Sequence, residues 1–168
     1  MIAYPRLEDG RVSSTGKDLA RVVGRELDRV VEEIAAYRDE RNLWVTQGAQ
    51  RNAPGTLALH LAGNFQHYVG AGLGGTGYVR DRNAEFNDRD VPRDELLARL
   101  REARASTVRV LSSLDEDVFS HGRFTVDLPD AYADMTVRAF LIHLTWHLGW
   151  HQGQIYYHRL AVEPPASE

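Results

Sequence analysis

The chain has 168 residues, 43% apolar and 26% charged, with a formal net charge of −4. That length suits one domain able to bury a core, and that charge leaves no basic stripe for nucleic acid. Cysteine is absent, which excludes disulfides, thiolate metal ligands and a protein thiol nucleophile.

No apolar run reaches the length of a membrane span, and the N-terminal MIAYPRLEDGR lacks the apolar stretch of a signal peptide. The expectation is a cytoplasmic protein of a single domain, residues 1–168, without nucleic-acid or membrane partners. From about Thr15 to Trp44, Leu19, Val22, Val23, Leu27, Val30, Val31 and Ile34 recur at three- and four-residue steps. This is the period of an amphipathic helix, with Thr15 and Asp18 resembling a capping box. Gly48, Pro54 and Gly55 then break the pattern. Thr56 is placed to cap a second helix that runs through His60 and His67 to about Gly70.

The segment YVRDRNAEFNDRDVP is dense in both signs of charge and reads as a long irregular connection. A third helix is predicted from about Pro92 to Leu114, on the stripe Leu96, Leu97, Leu100, Val108, Leu111 and Leu114. FTVDL, residues 124–128, reads as a short extended piece without a partner strand. The last helix begins near Asp134 or Thr136 and continues through Arg159, before Pro164 and Pro165. Four long amphipathic helices with long irregular connections predict an all-α, four-helix bundle.

The last helix carries HLTWHLGWHQGQ, with His143, His147 and His151 at four-residue steps. Each step rotates about 40° and rises about 6 Å, so the rings share a face while the outer two lie roughly 12 Å apart. A metal–imidazole bond is only about 2 Å long, so at most two neighbours can chelate one ion. The candidates are His143 with His147, or His147 with His151, and spacing does not separate them. A third ligand must come from elsewhere, and His60 and His67, seven residues apart on the second helix, are the candidates. His121 lies in a glycine-containing loop and His158 near the helix end. Trp146 and Trp150, at the same spacing, read as core packing.

The stretch HLGWHQGQI, from His147 to Ile155, resembles the last-helix signature of the DinB/YfiT-like superfamily, in which H-x-x-x-H-x-G-Q recurs. LALHLAGNFQHYVGAGLGGTGYVRDRNAEF, from Leu57 to Phe86, is similar to an uncharacterised bacterial subgroup with H-L-x-G-N followed by R-x-R-D-x-E-F. Asn83 departs from that pattern, where the subgroup usually carries Asp. The resemblance implies a four-helix bundle that holds a divalent metal with three histidines, one from the second helix and two from the last. Carried over, these are His60, His147 and His151, with His67 and His143 as neighbours of the site.

Three neutral imidazoles suit zinc, nickel, iron or manganese, and they leave a coordination position open and the ion's charge uncompensated. The resemblance implies thiol-dependent chemistry: an S-transferase that uses a low-molecular-weight thiol such as bacillithiol, mycothiol or glutathione. In that reading Arg80 and Arg82 clamp a carboxylate, His143 contacts substrate, and Glu85 acts as proton acceptor or as partner to a ligand histidine. The alternatives are a metal-dependent hydrolase and a non-catalytic, stress-associated metal- or ligand-binding bundle. Leu148 stands where H-E-x-x-H proteases carry glutamate, which disfavours that form of hydrolysis. A small-molecule substrate and a homodimer complete the expectation.

Overall fold

Residues 13–163 are described by a computed structural model. The readings of the N-terminal segment and of Pro164 and Pro165 fall outside them. Helix α1 spans Ser14–Ala35. Its cap is Ser13 rather than Thr15: the Ser13 hydroxyl accepts from the Gly16 N–H at 3.0 Å. Thr15 instead donates to Glu116, which the Ser13 hydroxyl also contacts. The helix stops nine residues short of Trp44, and Glu40–Trp44 forms a separate 3₁₀ turn. The physical reason is at the other end of the chain. Glu163 accepts from the N–H groups of Arg38 at 2.7 Å and Asp39 at 3.0 Å, and from the Asn42 amide at 2.9 Å. Those bonds satisfy donors that a continued helix would have used internally.

Helix α2 spans Pro54–Phe65, and every one of its residues is buried. Pro54 opens it, where the missing N–H costs nothing, so Thr56 lies inside the first turn instead of capping it. Beyond Phe65 the backbone continues as a π-helical turn, Gln66–Ala71, and one further turn, Gly72–Gly74. Gly75 ends the run with φ of 60°, a left-handed conformation suited to glycine. Residues 124–128 do not form a strand. Thr125 donates its N–H to the Gly72 carbonyl at 2.9 Å, and its hydroxyl reaches the Ala71 and Gly72 carbonyls, closing the frayed end of that helix. Phe124, Val126 and Leu128 pack against the core from this segment.

The charged connection contains a short helix, α3, Arg82–Asn87, capped by Asp81 through the Ala84 N–H at 2.9 Å. Helices α4, Arg93–Ser113, α5, Glu116–His121, and α6, Val137–Val162, complete the chain. The long helices α1, α2, α4 and α6 form the bundle: α1 and α2 both pack on α4 and α6, and α3 lies against α2. Leu27, Ile34, Leu61, Phe65, Leu100, Leu111, Phe140 and Leu148 fill the centre, each contributing roughly 1.5–3 kcal/mol by burial. No helix among the described residues is long and apolar enough to cross a membrane.

On α6 the buried face is Val137, Phe140, Leu141, Leu144, Leu148 and Ile155. Trp146 and Trp150 are therefore not core residues: they are 60% and 57% exposed. Each is two residues from a core leucine, about 200° around the helix, so the same four-residue step generates an outward stripe as readily as an inward one. His158, in contrast, is 2% exposed despite its place near the helix end.

Candidate metal centre

Helix α2 delivers His60 from the buried centre of the bundle, and α6 delivers His147 and His151 from consecutive turns. One nitrogen from each ring lies within 4.8 Å of the other two, an arrangement able to hold a metal ion. His60 Nε2 and His147 Nε2 are 3.0 Å apart. The three rings stand nearly perpendicular to one another, at 85°, 90° and 84°. Two nitrogens each about 2.0–2.1 Å from a shared ion would sit roughly 3.0–3.4 Å apart, so the donor set fits a transition metal.

The outer nitrogens of two rings are already committed. His60 Nδ1 lies 3.1 Å from Glu85 Oε2 and donates to it, because a carboxylate can only accept. His151 Nδ1 donates to the Gln154 side-chain oxygen at 2.7 Å. These bonds fix the tautomers that leave Nε2 of both rings unprotonated, and on His60 that atom faces His147 Nε2. Burial, reinforced by the neighbouring His151 and His60, holds His147 down to about 3, so its ring is neutral at ordinary pH. Burial also lowers His151. Neutral imidazoles are the ligand form.

Glu85 is itself held from behind. Arg80 donates Nε to Oε1 at 2.6 Å and Nη2 to Oε2 at 2.7 Å, and both side chains are almost fully buried. Arg80 Nη2 also lies 3.3 Å from His60 Nδ1, but that ring nitrogen already carries the proton given to Glu85 and cannot accept a second bond. Burial alone would push the Glu85 carboxyl up; the bonds from Arg80 and His60 outweigh it and leave the group below its ordinary value. Gly63, one turn from His60, makes this possible, for a Cβ there would overlap the Glu85 carboxylate. Phe86 covers the other side, its ring 5.0 Å from that of His60, and Arg82 lies over Phe86 at 4.9 Å. Asn83, the departure from the resembled motif, is exposed on α3.

Arg80 and Arg82 stand in different settings. The first is tied into the Glu85 pair, while the second is exposed at the mouth of a cleft. That cleft, about 210 Å³, is bounded by His60, Asn64, Tyr68, Tyr132, His143 and His147 among others. His143 lies over Tyr132, with ring centroids 4.3 Å apart. His67 does not join the group. The π turn begins at Gln66 and advances less around the axis per residue than an α-helix, so Tyr68 takes the face that His67 would have held. On the far side of the histidines a larger cleft, about 490 Å³, is lined by Gln47, Gln50, Arg51, Asn52, His151 and Gln154.

Sequence reasoning passed over Gly63, Asn64 and Gln154, although all three stand inside the motifs it singled out. The readable signal was spacing: Gln154 is three residues from His151 and Asn64 four from His60, both on the ligand face.

The sequence model of the DinB superfamily matches residues 21–155, most of the chain and all three histidines, and the chain belongs to that superfamily. No curated protein and no solved structure matches it.

Proposed function

We propose that this member of the DinB superfamily is a metal-dependent S-transferase that joins a low-molecular-weight thiol to a small electrophile. The observation that carries the reading is the meeting of three imidazole nitrogens within 4.8 Å between two clefts, with the outer nitrogens of two rings already bonded. A divalent ion held by His60, His147 and His151 would supply a positive charge that favours the deprotonated form of a thiol beside it.

The residues around the histidines have separable roles in this reading. Glu85 orients His60; with both of its oxygens engaged it serves as a partner to the ring rather than as a proton acceptor. Gln154 orients His151 in the same way. The larger cleft offers Gln47, Gln50, Asn52 and Arg51, side chains suited to the amides and carboxylates of a peptide-like thiol. Its volume falls within the roughly 300–1,000 Å³ of small-molecule sites. The smaller cleft takes the electrophile. In the transfer, the thiol loses its proton to solvent, its sulfur lone pair forms the bond to carbon, and the leaving group departs with its electron pair.

Hydrolysis at the same centre would require a free base, and the carboxylate bonded to His60 is held by Arg80. The test combines elemental analysis of untagged protein with conjugation of monochlorobimane to bacillithiol, mycothiol and glutathione, before and after chelation. The expected result is near-stoichiometric transition metal and thiol-selective, chelator-sensitive conjugation. Metal without turnover of any thiol would leave a binding bundle, and a metal-free, inactive protein would remove the reading entirely.

A further inference from the structure

The smaller cleft contains a polar group that the metal centre does not use. Asn64 stands one turn beyond His60 on the same face of α2, lines the cleft, and is only 6% exposed. Its side-chain oxygen has no hydrogen-bond partner among the described residues. A buried acceptor left unpaired costs roughly 1–3 kcal/mol, so an amide kept here is explained by a donor that arrives with a ligand. His60 at the metal centre, Leu61 in the core and Gly63 beneath Glu85 account for the other fixed positions of the H-L-x-G-N motif; Asn64 is the one without a structural duty.

The rest of the cleft narrows the ligand further. Tyr68, Tyr132, Phe140 and Trp146 give it aromatic walls, which favour a flat molecule. Arg82 is an exposed guanidinium at its mouth, placed to meet an anion. A space of about 210 Å³ is below the roughly 300 Å³ at which drug-sized sites begin, so the occupant is small.

We propose that this cleft binds a small planar carboxylic acid bearing an amino or hydroxyl group, whose hydrogen the Asn64 side-chain oxygen accepts. Arg82 faces the carboxylate and the aromatic walls hold the plane. The inference deepens the assignment of this cleft to the electrophile and rests on it: the electrophile would carry this acid frame together with its leaving group, and unreactive acids of the same frame serve as probes, since donor recognition by Asn64 does not itself require a metal.

Isosteric probes isolate the donor. Binding of the 2-, 3- and 4-aminobenzoates is compared by calorimetry with that of the corresponding methylbenzoates, on zinc-loaded protein and again after chelation. At one ring position the amine should bind about tenfold more tightly than the methyl isostere, the worth of one hydrogen bond. Asn64→Leu should abolish that ratio, Asn64→Asp should keep it, and Arg82→Gln should weaken both members equally. No preference at any position in the parent protein would overturn the proposal, as would a preference that survives Asn64→Leu. Zinc bound without preference sinks this inference alone, whereas preference without zinc binding sinks the metal centre alone.

Discussion

Two buried histidines in this bundle, His60 and His158, look alike in the sequence and do opposite work. Around His158 both ring nitrogens are spent. Nε2 donates to the Val45 carbonyl at 2.9 Å, and Nδ1 lies 2.8 Å from the Tyr37 hydroxyl, which donates to it. The ring therefore pins the segment after α1 to α6. Around His60 only Nδ1 is spent, on Glu85, and Nε2 is turned toward a second imidazole instead of a carbonyl. The lesson is that a buried histidine is read by its remaining nitrogen, not by its burial or its helix.

That contrast can be broken most directly at the ligands. His147→Ala should lower metal affinity by more than about 100-fold, exceeding the 10–100-fold typical of losing an outer-shell partner. His158→Phe should leave metal content unchanged while lowering stability by about 1–3 kcal/mol, since it strands the Val45 carbonyl and removes a partner of Tyr37. Elemental analysis and urea unfolding separate the two readouts, and loss of metal in the second variant would erase the distinction.

Glu85→Gln should sharpen it. The Gln side chain retains an acceptor for His60 but leaves the Arg80 charge buried without its partner. Metal affinity should fall by about 10–100-fold, and stability by about 3–5 kcal/mol. A variant that unfolds normally would show that the pair lies open to water. Gly63→Ala asks the same question with one methyl group. By pushing the carboxylate off His60 it should weaken metal binding toward the lower end, about tenfold, measured by competition with a chromogenic chelator.

The smallest expected effect lies at the His158 end of the molecule. Burial would push the Glu163 carboxyl up, but the Arg38 N–H, the Asn42 amide and the Asp39 N–H outweigh it and bring the group down to about 2. A carboxyl whose folded value is depressed stabilises the fold above its unfolded pKa, near 4.5. That contribution is lost as pH falls through the folded value near 2. Glu163→Gln should flatten stability between pH 4.5 and 2, at a cost of about 1 kcal/mol at neutral pH. A parent curve already flat in that window would refute it.

The bundle was legible because Leu27, Leu100 and Leu111 sit on stripes whose period only a helix produces. The end of α1 was not, because the carboxylate that stops it, Glu163, lies more than a hundred residues away. Helical spacing narrowed the ligands on α6 to two pairs and went no further; the motif supplied the choice. His67 shows why spacing could not finish the task on α2, since a single wider turn at Gln66 shifts the phase of everything after it. Trp146 and Trp150 show the complementary limit. Periodicity says which residues lie together, but not whether they look inward.

The position of Trp146 has a practical consequence. It lines the smaller cleft while more than half of its surface meets water, and its ring lies 5.9 Å from that of Trp150. An indole half in solvent changes its emission when that solvent is displaced. The protein therefore carries an optical reporter at the doorway of its own cavity, and Trp150→Phe would leave that signal with a single source on α6.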